Sequence, residues 1–387
     1  MRKPLALLAV LIGGIVAIGV AATAQSMKTV GKSEGSVDIV AWPGYIERGA
    51  TDKAYDWVTG FEKSSGCKVN VKTAGTSDEM VTLMNQGGYD LVTASGDASL
   101  RLIAGKAVQP IDTKLVPSFK NVDSRLQAGS WHTINGVHYG TPYQWGPNVL
   151  MYNTNVFKTA PKSLSVVFEE QTLPDGKSNK GRVQAYDGAI YIADAALYLM
   201  ATQPELGITN PYALDQAQFD ASIALLEQQA ALTSQYWALF TDQQASLEDG
   251  SVLAGTTWQI IVNLAKANGA LIDAVKPVEG ATGWSDTWML SSKAKNPNCM
   301  KLWMDWIASP LANAQVAEWF GEAPSNADSC GLTADPEHCT TFHAAETDYW
   351  TDVWYWTTAT EECLDGRTDV TCVPYTEWVN AWTALRS

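Results

Sequence analysis

The chain has 387 residues, of which 46% are hydrophobic and 17% charged, a composition typical of a globular protein of about two domains. Its formal net charge of −15 argues against nucleic acid and anionic lipid as partners. The charge favours a cationic ligand only weakly, because net charge mainly reports solubility.

The N-terminus has the pattern of a secretory signal peptide over residues 1–24. A basic start (residues 2–3) precedes an apolar run (5–20) and a small-residue cleavage motif (22–24). A retained membrane anchor is the alternative, but the apolar run is short and no later stretch is long enough to cross a bilayer. We therefore expect a periplasmic protein that begins, after cleavage, with a flexible arm over residues 25–36.

The six cysteines of an exported chain predict disulfide bonds. Two pairs close short loops and are the first choice, namely Cys330–Cys339 and Cys363–Cys372. The other two, Cys67 and Cys299, are either bridged across the fold or buried as free thiols.

Strands and helices alternate in the first part of the chain. The capping box Thr76-x-x-Glu79 opens one of the helices. This alternation predicts a mostly parallel sheet covered on both faces, in which ligands bind beyond the carboxyl ends of the strands. Trp42, Tyr45 and the turn at residues 95–97 follow predicted strands, so we expect them at one mouth. An apolar strand after residue 145 indicates a crossing into a second domain.

The motif Trp284–Ser285–Asp286 begins the second crossing. In a strand, alternate side chains share a face, so Trp284 and Asp286 point the same way. An indole face beside a carboxylate suits an organic cation, through cation–π attraction and a charge-assisted hydrogen bond. Taken alone, the motif is better explained as a buried Trp with an Asp at a strand end, so the binding interpretation depends on the other motifs.

Several short motifs recur in the order and spacing of one family. They are residues 41–46 (AWPGYI), 61–67 (FEKSSGC), 77–80 (SDEM), 88–92 (GYDLV), 142–146 (PYQWG) and 283–286 (GWSD). From about Val37 to Pro324 the chain resembles the periplasmic spermidine/putrescine-binding proteins of ABC importers. The resemblance implies an α/β, two-lobed periplasmic binding fold of type II, with two mostly parallel sheets joined by hinge strands. It places residues 37–144 plus 287–387 in lobe I and residues 145–286 in lobe II.

The resemblance also implies a ligand site between the lobes. Aromatic walls would hold the methylene chain of a polyamine, and carboxylates would bind its ammonium ends. The corresponding residues here are Trp42, Tyr45, Asp97, Asp187, Trp258, Trp284, Asp286 and Glu322. Two departures stand out: Pro43 and Gly44 replace a Ser and an Asp found in some members, and Glu322 replaces a Tyr.

The expected function is therefore capture of a putrescine- or spermidine-like amine by a monomer and its delivery to an inner-membrane ABC permease, without cofactor or catalysis. A zwitterionic amine such as γ-aminobutyrate is an alternative ligand, and a receptor that signals to a membrane partner is an alternative role. A secreted hydrolase is the rival class, although the sequence has four His and no G-x-S-x-G motif. Cys330, His338, Cys339 and His343 could bind zinc by ligand type, but a disulfide is the expected use of these cysteines. The sequence assigns no role to the Trp- and Cys-rich C-terminal tail.

Overall fold

The computed structural model describes residues 29–387, so the expected signal peptide lies outside the described residues. The strands are β1 (Ser36–Ala41), β2 (Lys68–Thr73), β3 (Leu91–Ala94), β4 (Thr133–Ile134), β5 (Val137–His138), β6 (Gly140–Asn153), β7 (Val183–Tyr186), β8 (Thr233–Trp237), β9 (Ala254–Trp258), β10 (Ile272–Val275), β11 (Ala281–Leu290) and β12 (Val353–Tyr355). Within these residues, no helix has the length and apolar character needed to cross a membrane.

Helices connect and cover these strands. The α-helices are α1 (Val58–Ser65), α2 (Ser77–Gln86), α3 (Gly96–Ala104), α4 (Ser124–Gln127), α5 (Ser165–Phe168), α6 (Ile192–Thr202), α7 (Gln216–Ala230), α8 (Phe240–Glu248), α9 (Gln259–Ala267), α10 (Pro297–Ile307), α11 (Pro310–Phe320), α12 (His338–Thr341), α13 (Thr347–Trp350) and α14 (Tyr375–Leu385). Short 3-10 turns lie at Thr113–Leu115, Pro117–Asn121, Ala189–Tyr191, Pro204–Leu206 and Ala327–Gly331.

Two parallel sets of strands are joined through two long antiparallel strands. The strand order is β2-β1-β3-β11-β6-β9-β7-β8, with β10 beside β6 and β12 beside β11. The trios β2-β1-β3 and β9-β7-β8 are parallel, as the alternation of strands and helices predicts. Strand β6 pairs with β11 along its first half and with β9 along its second, so it crosses from one trio to the other. The predicted crossings correspond to β6 and β11, and the chain passes between the trios a third time after β12.

The inner strands of each trio are largely buried, whereas the edge strands β2 and β8 are partly exposed. The two-residue period of the buried strands divides their side chains between separate cores. In β1, Ile39 contributes to the core under α1 and α10, whereas its neighbour Val40 contributes to the core under α2 and α3. In β6, Leu150 and Met151 divide in the same way between the two cores of the second trio. A strand buried on both faces, such as β3, is buried at every position, whereas the edge strand β2 alternates apolar and polar residues.

The C-terminal tail, which the resemblance assigns to lobe I, packs against lobe II instead. The indoles of Trp356, Trp378 and Trp382 belong to the core of the second trio, and the Trp382 ring lies 6.0 Å from that of Tyr191. Residues 356–385 therefore pack against lobe II. Large indoles bury wherever apolar surface is available, and their sequence does not specify which lobe provides it.

The arm before β1 is attached where the structure describes it, from residue 29 onward. The carboxylate of Glu34 accepts hydrogen bonds of 2.9 Å from the backbone N–H groups of Asn298 and Cys299. A carboxylate at a helix N-terminus satisfies free N–H groups and complements the helix dipole. This part of the arm is therefore anchored to α10, in contrast to the expected flexible segment.

All six cysteines form disulfide bonds. Both expected short-range pairs, Cys330–Cys339 and Cys363–Cys372, are present. Cys67 and Cys299 are bridged as well, which decides between the two alternatives left open by the sequence. This third bridge joins the residue before β2 to α10.

Candidate functional site

A cavity of about 260 Å³ lies between the two lobes, next to the crossing strand β11. Six of the eight residues expected to bind a ligand line it, namely Trp42, Tyr45, Trp258, Trp284, Asp286 and Glu322. Most of the other lining side chains are apolar, and within residues 29–387 the lining contains no Lys or Arg. The cavity therefore combines aromatic walls with acidic groups and has no cationic side chain on its wall.

The first wall is built by the turn that follows β1. The Tyr45 N–H donates to the carbonyl of Trp42 over 3.2 Å, and Gly44 between them has a φ of 84°. Pro followed by a residue with positive φ is the requirement of a type II turn, which Pro43 and Gly44 meet. Pro43 and Gly44 thus shape the loop that presents Trp42 and Tyr45.

Asp286 is buried at the centre of the site. The hydroxyl groups of Tyr45 and Ser95 each donate a short hydrogen bond to one of its carboxylate oxygens. Burial raises the pKa of Asp286 to about 6, although both hydroxyl donors favour the ionised form. The register of β11 against β6 shifts between Asp286 and Thr287, a bulge of the kind that redirects side chains near binding sites.

Trp284 lines the same cavity two residues earlier in β11, as the strand period predicts. Its ring lies over Gly146 of β6, where an added Cβ would be only 3.2 Å from the ring. Because Gly146 has no side chain, the Trp284 indole can lie directly against the backbone of β6.

Glu322 provides a second buried carboxyl group, just after α11. Its backbone N–H donates to the carbonyl of Ala317 over 3.0 Å, with Gly321 in a left-handed conformation (φ 64°), which closes the helix. The side chain is 3% exposed, and neither oxygen has a hydrogen-bond partner among the described residues. Burial, followed by the nearby Asp286, raises the pKa of Glu322 well above its ordinary value.

The Cys330–Cys339 loop supports the position of Glu322. His338 Nε2 lies 2.8 Å from the backbone carbonyl oxygen of Glu322. Because a carbonyl oxygen only accepts, the Nε2–H group of His338 is the donor of this hydrogen bond. Cys330 and Cys339, the two cysteines that could bind zinc by ligand type, are joined in a disulfide bond. His338 therefore has a structural partner, and the loop holds the acidic residue at the cavity.

Lobe II contributes an apolar wall. Trp258 ends β9, and Ile260 and Leu264 lie one turn apart on α9, with Phe240 at the start of α8. The rings of Trp42 and Trp258 meet across the lobes edge to face, with centroids 6.5 Å apart. This contact brings the two lobes together at one side of the cavity.

Two of the expected residues do not line the cavity. Asp97 is buried within α3, where the Ser77 hydroxyl donates to it over 3.1 Å and burial raises its pKa. Asp187 accepts from Trp382 Nε1 over 3.0 Å and from Arg386 Nε over 3.2 Å. Both placements differ from the expectation, because each carboxylate accepts hydrogen bonds from residues of its own lobe rather than facing the cavity.

The sequence predicts the turn at residues 95–97 at the cavity, but it is Ser95 rather than Asp97 that lines it, and Trp356 is a lining residue that no sequence pattern indicates. Ser95 is the N-cap residue of α3, yet its hydroxyl makes no cap bond and is directed to Asp286 instead. Ser95 directly follows β3 and lies two residues before Asp97, the member of this turn that the resemblance implies as a ligand residue. Trp356 follows β12 in the tail, where no sequence pattern indicates a site.

The sequence matches the family described as bacterial extracellular solute-binding protein over residues 56–344, about three quarters of the chain. The chain belongs to this family. Among curated relatives, the spermidine/putrescine-binding periplasmic protein of Escherichia coli is 25% identical over 291 residues, 74% of this chain and 76% of that protein. The putrescine/agmatine-binding protein of Pseudomonas aeruginosa is 22% identical over 311 residues, 76% of this chain and 79% of that protein.

Solved structures of this solute-binding family share the fold. The spermidine/putrescine ABC transporter substrate-binding protein PotD of Streptococcus pneumoniae aligns with a TM-score of 0.70 at 17% identity, covering 91% of this chain and 99% of that chain. A putative spermidine/putrescine ABC transporter protein of Listeria monocytogenes aligns with a TM-score of 0.71 at 19% identity over the same shares. The expected two-lobed periplasmic binding fold of type II is confirmed.

Proposed function

We propose that this solute-binding protein captures a small organic amine between its lobes and delivers it, as a periplasmic monomer without catalytic activity, to an ABC importer. The names of the curated relatives put putrescine and spermidine first among the amines to test. Hinge closure around the ligand, through the crossing strands, would present the closed lobes to a permease.

The observation that carries this proposal is the buried Glu322 carboxyl group, which lies near Asp286 and among aromatic rings and has no hydrogen-bond partner within residues 29–387. An unpaired polar group in such a site is costly unless a ligand supplies the missing partner. An ammonium group supplies both the positive charge and the donors, and the indole faces attract the same cation.

A zwitterionic amine such as γ-aminobutyrate is the second candidate. The indole N–H groups of Trp42, Trp284 and Trp356 have no acceptor among the described residues, and a ligand carboxylate could accept from them. The absence of Lys and Arg from the described cavity lining weighs against this ligand, because a buried carboxylate would lack a counter-charge.

Calorimetric titration of the mature protein with putrescine, spermidine and γ-aminobutyrate tests the proposal. Saturable one-to-one binding of at least one amine is expected. Absence of heat and of any thermal shift with all amines would overturn it, and turnover of ester or peptide substrates would favour a hydrolase instead. Uptake of the bound amine through a neighbouring permease distinguishes an importer component from a receptor.

A further inference from the structure

We infer that the cavity neutralises only one ammonium group, so that it selects amines with a single charged end and an apolar body over diamines of the same length. This inference rests on the proposed function and narrows it. It concerns where the acidic groups lie within the cavity, which is a property of this chain's own side chains.

Both acidic groups of the cavity lie at the end formed by Tyr45. The Tyr45 hydroxyl donates directly to Asp286. The Tyr45 ring meets that of Phe320 with centroids 4.9 Å apart, and Glu322 follows Phe320 by two positions. After burial, the charges of Asp286 and Glu322 are the main causes that raise the pKa of the Tyr45 phenol. The two carboxyl groups therefore share one end and can jointly hold one ammonium group.

The facing wall from lobe II is apolar. Its lining residues are Phe240, Trp258, Ile260 and Leu264. Asp187, the acidic residue expected from this lobe, is instead bonded to Trp382 and Arg386. A second ammonium group that extended toward this wall would lose its hydration without gaining a carboxylate, which is strongly unfavourable. A methyl group in the same place would bury apolar surface.

A pair of ligands of equal length tests the inference. In 1-aminopentane a terminal methyl group replaces the second ammonium group of putrescine, and the two molecules have the same number of non-hydrogen atoms. Titration calorimetry is expected to show 1-aminopentane binding at least about tenfold more tightly than putrescine. Equal or tighter binding of putrescine would overturn the inference and leave the proposed function intact. Failure of every amine to bind would overturn both.

A designed change in the apolar wall tests the same point from the protein side. Leu264 lines the cavity but is 36% exposed, so Leu264→Glu should fold. The new carboxylate should shift the ratio of the two affinities toward putrescine by about tenfold, because the second ammonium group gains a partner. Leu264→Gln, which adds a similar volume without charge, is the matched control. An unchanged ratio in Leu264→Glu would contradict the inference.

Discussion

Two carboxyl groups in the cavity have opposite surroundings. Asp286 accepts from two hydroxyl groups, whereas neither oxygen of Glu322 has a partner among the described residues. The first is held in one orientation before the ligand arrives, and the second has its hydrogen-bonding capacity free. An ammonium group can bind to the prepositioned carboxylate of Asp286 and also supply the hydrogen-bond donor that the Glu322 carboxyl group lacks.

The variant Asp286→Asn tests the contribution of the prepositioned charge. It should weaken amine binding by roughly 2–5 kcal/mol, as expected when one side of a buried charge pair is removed. Calorimetry with the tightest-binding amine measures the loss. Asp187→Asn is the matched control, since Asp187 lies outside the cavity and pairs with Arg386. Equal affinities of the two variants would show that the ligand binds elsewhere.

The pH dependence of binding follows from the raised pKa values. In the ligand-free protein the carboxyl group of Asp286 is protonated below a pH of about 6, and an ammonium group requires it ionised. The amine keeps its own charge in this range, so its affinity should rise with pH between about 5 and 7, by at most about tenfold per pH unit for one proton released.

Burial also raises the pKa of Glu322 well above its ordinary value, so a proton that Glu322 releases on binding adds to the increase in affinity with pH. Asp97, also buried nearby, adds to the effect on Asp286 through its charge. Titrations in buffers from about pH 5 to about pH 8 measure the trend. A constant affinity would mean that no proton is exchanged on binding, and a falling affinity would mean net proton uptake. Either result would contradict binding of the ammonium group to ionised carboxylates.

Much of the residue-level site was predictable from the sequence, for a physical reason. Trp284 and Asp286 share a face because strand period alone places them there, and Trp42 and Tyr45 follow a strand that ends at the cavity. Asp187 and Asp97 were not predictable in the same way. Their partners, Arg386 and Ser77, are distant in sequence, and only the folded chain shows that these carboxylates are already bonded.

At the scale of elements, the site depends on how the tail meets α3. The backbone N–H of Trp356 donates to the carbonyl of Gly283 over 2.7 Å, which continues the pairing of β12 with β11. Gly96, the first residue of α3, lies so close that an added Cβ would be 1.6 Å from the Trp356 carbonyl oxygen. Trp356 reaches the cavity only because this close approach is possible.

The variant Gly96→Ala should therefore displace the segment that carries Trp356. A loss of about 1–3 kcal/mol in the free energy of unfolding is expected, as for overpacking of a tight contact, together with weaker amine binding. Chemical denaturation and calorimetry measure the two effects. Gly331→Ala is the control, because no atom lies within 4 Å of its added Cβ. Wild-type stability and affinity in Gly96→Ala would contradict this role of the contact.

The strands and helices of the first trio were predictable from local patterns, but the place of the tail was not. The Thr76–Glu79 capping interaction and the left-handed Gly66 that ends α1 are local features, and both are present. The packing of Trp378 and Trp382 on lobe II depends on surfaces formed by residues far away in sequence. Apolar side chains indicate burial, but not the partner against which they are buried.

At the scale of the whole molecule, two contacts cross between the lobes beside the cavity. Trp42 meets Trp258, and the side-chain amide of Asn263 on α9 donates to the carbonyl of Gly321 over 3.4 Å. Strands β6 and β11 lie side by side between the two parallel trios, β11 next to β3 and β6 next to β9. The tail adds a further connection, because the Thr358 hydroxyl donates to the carbonyl of Asp97 over 3.4 Å. Such a construction allows the lobes to separate and close by bending at these strands.

A ligand that contacts both lobes should therefore shift the population toward the closed arrangement. Small-angle X-ray scattering is expected to show a smaller radius of gyration when the tightest-binding amine is added. Trp42→Ala, which removes one contact across the lobes, should reduce this change. Identical scattering with and without saturating amine would indicate that binding does not involve closure.

The most direct test of the central claim is a crystal structure of the protein with a bound amine. We expect one ammonium nitrogen within hydrogen-bonding distance, about 2.7–3.2 Å, of carboxylate oxygens of both Asp286 and Glu322. The carbon chain should lie between Trp42, Trp258 and Trp284. An amine bound elsewhere, or one that contacts neither carboxylate, would contradict the account.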